Sequence, residues 1–314
     1  MEFSKMRFAI TGANGFIGKR LATKLEEQGH KVLKIQRTFT NDDALIIKDI
    51  SDFKNLKNQL KQIDVVIHCA SKVHEKAIFE DKNEYLRVNT EATIGLAKES
   101  LKAGVKRFIF LSSIKVNGEI TTNRPFRNKS KESPSGSYAI SKYMAEKKLL
   151  KIANKSSSMD VVIIRPPLVY GPEVKANFLK LFKLVNSKIY LPFKKISNKR
   201  SYIFLENLVD FIIICSKNNK VSNRKLIVCD GEAISTTKLI KTISNSIKKK
   251  VRLFYLPENL LFFINKLLFG IFSKLIFSLE VESSESYELT EWTPNYTFEE
   301  GIIITSKWYM AEKK

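Results

Sequence analysis

Three side chains in this sequence could together move a proton to or from a carbonyl oxygen: Ser113, Tyr138 and Lys142. Tyr138 and Lys142 are four residues apart, so on a helix they share one face. A tyrosine with a pKa near 10 is a poor base at neutral pH, and an ammonium beside it favours the phenolate. A serine within hydrogen-bond range can hold the carbonyl or alcohol oxygen while the tyrosine transfers the proton. The Tyr-x-x-x-Lys spacing alone says little, because this lysine-rich chain contains it four times, at Tyr138/Lys142, Tyr143/Lys147, Tyr190/Lys194 and Tyr309/Lys313. A helix-surface tyrosine beside a lysine accounts for the other three. Tyr138 differs in following the small-residue run Ser135-Gly136-Ser137 and in lying 25 residues beyond Ser113, which ends a buried-type strand.

The elements that must position these groups begin at Arg7. A strand (Arg7 to Ile10), a glycine turn (Thr11 to Gly18), an amphipathic helix to about Gln28 and a second strand (Val32 to Gln36) make up the first unit, which closes at Arg37. Gly12 serves the tight turn, Gly15 the approach of backbone to a pyrophosphate, and Gly18 the contact of helix with strand. Glycine also serves ordinary turns. The strand before and the helix after turn the pattern into a dinucleotide cradle, with helix N-terminal amides facing the phosphates. Ala44 to Lys48 reads as a strand ending at Asp49, Ser51 to Gln62 as a polar helix, and Ile63 to His68 as a strand covered on both faces. Asn83 to Ala103 is a long helix, Arg107 to Leu111 a buried strand, Tyr138 to Ala153 a helix, and Asp160 to Arg165 a strand. This alternation predicts an α/β fold, a Rossmann-type doubly wound parallel sheet with ligands at the carboxyl ends of its strands. Beyond Pro166-Pro167 the pattern changes, with Asn177 to Asn186 helical, Ser201 to Leu205 extended and Lys225 to Cys229 a strand. Residues 1–170 are therefore expected to form the nucleotide-binding domain, rejoined by 198–230, and residues 171–314 a smaller C-terminal substrate-binding region.

Composition narrows the class. At 314 residues and 44% hydrophobic the chain can bury a full core. Cys69, Cys215 and Cys229 lack metal-ligand spacing and the even count of a disulfide framework, so they read as core packing in a reducing compartment. No signal peptide is visible, and a cytoplasmic location is expected. The net charge of +22 comes from dispersed lysines, which suit a solvated enzyme surface better than a nucleic-acid site. Leu260 to Leu279 is very apolar but interrupted by Asn265, Lys266, Gly270, Ser273 and Lys274. It reads as a helix pair of the substrate domain, with peripheral membrane contact as the alternative and no transmembrane span. His68 is expected to pack against the sheet, and His74 lies in the following loop; neither has metal-ligand company.

With these residues in view, the sequence resembles the extended short-chain dehydrogenases/reductases of the NAD-dependent epimerase/dehydratase family. The matching pieces run in family order: Thr11 to Gly18, Asp49-Ile50, Val88-Asn89, Leu111-Ser112-Ser113, Ser137 to Lys142, and Arg165 to Pro172. Later pieces resemble the UDP-glucose 4-epimerase-like subgroup, some members of which look like UDP-4-keto-6-deoxy-N-acetylglucosamine 4-reductases of surface-polysaccharide (O-antigen) synthesis. The resemblance implies catalysis by Ser113, Tyr138 and Lys142. It assigns cofactor contacts to Gly12, Asn14, Gly15, Phe16, Ile17, Asp49, Ile50, Ala70, Asn89, Tyr138, Lys142 and Pro166. Ser113, Asn177 and Arg200 are assigned to a UDP-sugar, the planar fork of Arg200 suiting its diphosphate. A helix cap for Asn177 and a surface charge for Arg200 are the plainer alternatives. The resemblance also suggests a homodimer through Asn83 to Ala103 and Tyr138 to Ala153, and it implies no metal.

Departures from the family pattern set the expected reaction. The 4,6-dehydratases carry an Asp-Glu pair after the position of Ser113, where this chain has Ile114-Lys115. At the end of the second strand, NAD-dependent members place an acidic residue, whereas this chain has Gln36-Arg37. An arginine there suits a 2′-phosphate. NADP(H) is therefore favoured over NAD(H), unless Arg37 simply faces solvent. Leu168 stands where the epimerase has an asparagine, and Asn117 where it has a tyrosine. The expectation is thus an NADP(H)-dependent reductase of a UDP-4-keto-6-deoxy-N-acetylhexosamine. A UDP-hexose 4-epimerase is the first alternative, and a non-catalytic cofactor-sensing or nucleic-acid-binding protein the second.

Overall fold

A computed structural model of the chain describes residues 5–38, 44–47, 49, 56–73, 81–187, 189–268 and 272–312. Ile50, Lys48 and His74 lie outside the described residues. The chain opens with β1 (Arg7–Thr11), α1 (Phe16–Glu27), β2 (Lys31–Gln36), β3 (Ala44–Ile46) and β4 (Val65–His68). It continues with α2 (Lys82–Leu86), α3 (Ala92–Ala103), β5 (Arg107–Leu111), α4 (Gly136–Lys155) and β6 (Asp160–Arg165). Next come β7 (Leu168–Tyr170), α5 (Ala176–Asn186), β8 (Tyr190–Leu191), β9 (Tyr202–Phe204), α6 (Leu205–Lys217) and β10 (Lys225–Ile227). The last elements are α7 (Thr236–Ser246), β11 (Arg252–Leu253), α8 (Glu258–Leu267), α9 (Ser273–Ile276), α10 (Ser284–Thr290) and α11 (Phe298–Ala311).

Seven strands form one sheet in the order β10-β6-β5-β4-β1-β2-β3, with every pairing parallel. The strand order reverses between β1 and β4, and a crevice opens there at the carboxyl ends. Strand periodicity explains the two covered faces. Phe8, Ile10, Val65, Ile67, Ile109 and Leu111 point into a core shared with α1 and α6. The intervening Ala9, Val66, Phe108 and Phe110 point to the other side, against α3 and α4. A second core, rich in aromatic rings, joins Tyr170, Phe178, Phe182, Phe193, Phe204 and Phe298. Asp230 ties it to β9 by accepting from the Phe204 amide, Asn207 Nδ2 and the Tyr170 hydroxyl.

Two expected elements differ. Residues 56–62 form turns rather than a regular helix. The expected helix from Asn83 to Ala103 is α2 and α3 joined by a wide π-helical turn at Arg87–Glu91. That turn aims Asn89 and Thr90 at α4, where Asn89 Nδ2 meets Ser141 Oγ at 3.0 Å and Thr90 Oγ1 meets the Ser141 carbonyl at 2.7 Å. His68 is fully buried between Thr11 Oγ1 (2.6 Å) and Thr93 Oγ1 (2.9 Å), and burial pushes its pKa down to about 3. No described helix is long and apolar enough to cross a membrane.

Candidate active site

The glycines of the first turn are enforced by contact. A Cβ on Gly12, whose φ is +68°, would meet the Ala70 amide nitrogen at 2.9 Å, and one on Gly18 would lie 2.2 Å from the Gly12 carbonyl oxygen. Gly15 caps α1 in an extended conformation with no side chain covering the first-turn amides. The Gly15 cap borders a cavity of about 400 Å³ lined by Gly12, Asn14, Gly15, Arg37, Asp49 and Ala70, together with Ser71, Lys72 and Arg87. Uncovered helix amides beside a cavity that side chains would fill suit the pyrophosphate of a dinucleotide. Asn14 Nδ2 donates to Thr38 Oγ1 (3.1 Å) and so tethers the turn to the chain after β2. The side chains of Phe16 and Ile17 pack against the cores and do not line the cavity. Arg37 is exposed and lines the cavity beside the buried Gln36.

Asn89 is committed to the protein. Its Oδ1 accepts from Ser71 Oγ and the Lys72 amide, and its Nδ2 donates to the Lys72 carbonyl and Ser141 Oγ. It therefore shapes the 70–72 wall of the cavity from behind. Arg87, which sequence reasoning did not single out, clamps the cavity rim through Asp49 at 2.7 and 3.0 Å and through Glu84 at 2.8 and 3.0 Å. Those carboxylates raise the Arg87 pKa, and the guanidinium holds Glu84 below the ordinary range.

Ser113 follows β5, and Tyr138 stands in the first turn of α4, with its hydroxyl hydrogen-bonded to Ser113 and Ser71. Tyr138 is half-buried, yet the protein packed round its hydroxyl pushes its pKa up to about 12, outweighing both serines. Lys142 departs from the expected arrangement. Its Nζ donates to the Leu111 carbonyl at 2.8 Å and lies 4.5 Å from the centre of the Phe110 ring. Burial lowers its pKa to about 8, and it does not depress that of Tyr138 here. The physical reason is stem length: sharing a helix face leaves four methylenes free to carry the ammonium to a sheet carbonyl instead. Behind the pair, Glu146 accepts from Ser112 Oγ and from the fully buried Arg165, whose remaining donors meet Glu132 and Asn117. The carbonyl of Pro166, which follows β6, accepts from the Ile114 amide at 3.0 Å, and Pro166 does not line the cavity.

The remaining candidates, Asn177 and Arg200, follow β7 in the chain. Asn177 is exposed in the first turn of α5 and does not cap it; Lys175 holds that position. Arg200 is no surface charge. It is buried, donates to the Phe277 carbonyl at 2.9 Å and to Tyr202, and burial lowers its pKa. Lys274 feels Lys115, Lys180 and Arg200 as like charges, with Glu119 opposing them. These four cations suit a diphosphate. Lys180 was legible as one helical turn beyond Asn177, whereas Lys274 was hidden in an apolar stretch read as a substrate-domain helix pair, with membrane contact as the alternative.

The model of the NAD dependent epimerase/dehydratase family matches residues 8–229, which span the glycine cradle, Ser113, Tyr138 and Lys142. The chain belongs to this family. A Vibrio cholerae relative named UDP-glucose 4-epimerase is 38% identical over 315 residues, covering 96% of this chain and 94% of the relative. An Escherichia coli O157:H7 relative, named N-acetyl-alpha-D-glucosaminyl-diphospho-ditrans,octacis-undecaprenol 4-epimerase, is 27% identical over 250 residues, 79% of this chain and 74% of that one. The Thermotoga maritima structure titled UDP-glucose 4-epimerase with UDP-glucose shares the fold, with a TM-score of 0.80, 20% identity, and 98% and 100% of the two chains covered. In this epimerase/dehydratase family member, the positions after Ser113 carry no carboxyl group. Ile114 is buried, and Lys115 pairs with Glu119.

Proposed function

We propose that this protein is a nicotinamide-dependent 4-epimerase of a UDP-linked hexose. The observation that carries the proposal is the hydrogen-bonded Ser113–Tyr138 pair beside the glycine cradle, with no carboxyl group after Ser113 for proton transfer at C5 and C6. A bound nicotinamide dinucleotide supplies the acceptor and donor of hydride. Tyr138 then moves the proton at O4, as base in one half-reaction and acid in the other. Ser113 orients O4 through its hydroxyl. Lys142, once drawn from the Leu111 carbonyl, supplies the positive charge that brings the Tyr138 pKa down. Arg200, Lys180 and Lys274 neutralise the diphosphate, and Asn177 faces the nucleotide. Arg87 and Asp49 close the adenosine end of the cradle.

A second reading, an NADP(H)-dependent 4-ketoreductase, is favoured by Arg37 on the cavity wall where an acidic residue would otherwise receive the ribose hydroxyls. Incubation of the purified protein with UDP-glucose, UDP-GlcNAc or a polyprenyl-diphosphate-linked GlcNAc, each without added reductant, tests the proposal. Appearance of the C4 epimer of a UDP-sugar by NMR supports it, and an epimer from the polyprenyl substrate alone overturns the UDP assignment. Absence of any epimer, together with oxidation of NADPH by a UDP-4-keto-6-deoxy sugar, establishes the reductase instead.

A further inference from the structure

α8 carries apolar residues on both its faces. Leu261 is buried against the second core, while Leu260, Phe263 and Leu267, spaced i, i+3 and i+7, point outward, Phe263 at 66% and Leu267 at 68% exposure. A helix facing only water carries polar residues on that side. Fourteen large hydrophobic side chains are exposed among the described residues, and nine of them lie within 189–190 and 254–268. Pairing of β8 with β11 sets Tyr190, 61% exposed, beside Arg252, and joins the two stretches into one patch. Such a concentration marks an interaction surface.

We propose that this face docks on an anionic lipid surface. Charge selects the occupant. The Arg252 guanidinium lies 5.2 Å from the centre of the Tyr190 ring, and Lys195 Nζ lies 5.4 Å from that of Tyr255. Lys248, Lys249 and Lys250 are exposed at the approach to β11, and Lys266 is exposed on α8. From Lys241 to Lys266 the chain holds six basic residues and one acid, Glu258. A second copy of a chain of net charge +22 would set these cations against each other. A purely electrostatic partner leaves the phenylalanines and leucines unexplained. Aromatic rings flanked by lysine and arginine, around an apolar helix that lies flat, match the boundary between headgroups and acyl chains. The helix has 10 residues, which is too short to span and long enough to lie in that boundary. Phe262 stacks on Phe277 with ring centres 5.5 Å apart, and the Phe277 carbonyl holds Arg200, so the docked face sits one side-chain layer from the cationic cluster.

Flotation with vesicles tests this, whichever sugar the site accepts. With vesicles about one-third phosphatidylglycerol, at about 0.1 M salt, the full-length protein should float at least tenfold more than with pure phosphatidylcholine, and less at about 0.5 M salt. The Phe263→Ser, Leu267→Ser double variant and the Lys248→Glu, Lys249→Glu, Lys250→Glu triple variant should each lose at least tenfold, with melting temperature and turnover in solution unchanged. Equal flotation with neutral and anionic vesicles, or variants that float like the parent, would overturn the proposal. So would a double variant that loses only self-association, since the occupant would then be a second copy.

Discussion

Replacement of Lys142 by methionine should stabilise the fold while removing turnover. The side chain is buried at 1% exposure, and burial lowers its pKa from 10.5 to about 8. At about 1.4 kcal/mol for each pH unit, the charged form at neutral pH is roughly 3 kcal/mol less favourable in the folded protein than in the unfolded chain. Methionine keeps a flexible apolar stem, and its thioether can rest on the Phe110 ring that Nζ now overlies at 4.5 Å. It forfeits the 2.8 Å bond to the Leu111 carbonyl, a loss of about 1–2 kcal/mol. The net gain is about 1–2 kcal/mol near pH 7, or a few degrees in Tm. The sign of its pH dependence is fixed. Below pH 8 both states of the parent hold the proton, and the full penalty stands. Between about 8 and 10.5 the folded parent releases the proton while the unfolded chain keeps it, so the parent gains on the variant as pH rises. The advantage of the variant should therefore vanish by about pH 10. Tyr138 and Tyr202, whose pKa values are raised in the fold, are present in both proteins and largely cancel in the difference. Paired urea unfolding at pH 7, 8.5 and 10 measures it, and turnover should fall by on the order of 100-fold or more. A variant less stable than its parent at pH 7, or a difference that does not move with pH, refutes the reasoning.

Other perturbations probe the framework. Gly18→Ala forces a Cβ to 2.2 Å from the Gly12 carbonyl oxygen, so α1 must shift; thermal unfolding should show a loss of about 3 kcal/mol or more, and titration a loss of dinucleotide binding. Glu146→Gln leaves the fully buried Arg165 guanidinium short of its main counter-charge and should cost about 3–5 kcal/mol in urea unfolding. Arg37→Ala should weaken NADP(H) at least tenfold and leave NAD(H) unchanged in fluorescence titrations. Equal effects on both would remove Arg37 from cofactor selection.

The sheet was legible because its strands are covered on both faces and write that burial directly into sequence. β5 and β6 fall on the bounds expected from their apolar runs, Arg107 to Leu111 and Asp160 to Arg165. The glycine turn was legible because steric exclusion at Gly12 and Gly18 allows no other residue. What the sequence hid depends on the reach of long side chains. Spacing places Lys142 on the face of Tyr138, but only the fold shows its ammonium on a sheet carbonyl. The Arg87–Asp49 clamp joins positions 38 apart in the chain, and no local pattern announces it. Nor does local pattern reveal that Arg200 is anchored on the Phe277 carbonyl, or that Lys274, in an apolar stretch, lies within electrostatic range of it.

The state of Tyr138 bears on the direction of the chemistry. With a pKa near 12, about one phenol in 100,000 is ionised at pH 7. A ketone at C4 needs the protonated phenol, which is the form present. A C4 alcohol needs the phenolate, which lies about 7 kcal/mol away at that pH. A 4-ketoreductase uses the phenol form directly, whereas an epimerase, which must oxidise before it reduces, first needs the phenol pKa lowered. For an epimerase, cations have to approach the phenol on ligand binding, and Lys142, one helical turn along the same face, is a reserve for this. Withdrawn from the Leu111 carbonyl to within about 4–6 Å of the hydroxyl, its ammonium would lower the phenol pKa by about 1–3 pH units. The remainder must come from charge carried by the bound ligands. Epimerisation should then show kcat rising with pH to a plateau set by the lowered phenol. Reduction of a 4-keto sugar should show kcat/KM falling as that phenol ionises. Tyr138→Phe should abolish both limbs while sugar-nucleotide binding survives. A kcat unchanged from pH 6 to 10 in both assays, or a Tyr138→Phe enzyme with near-parental turnover, would take the proton at O4 away from Tyr138.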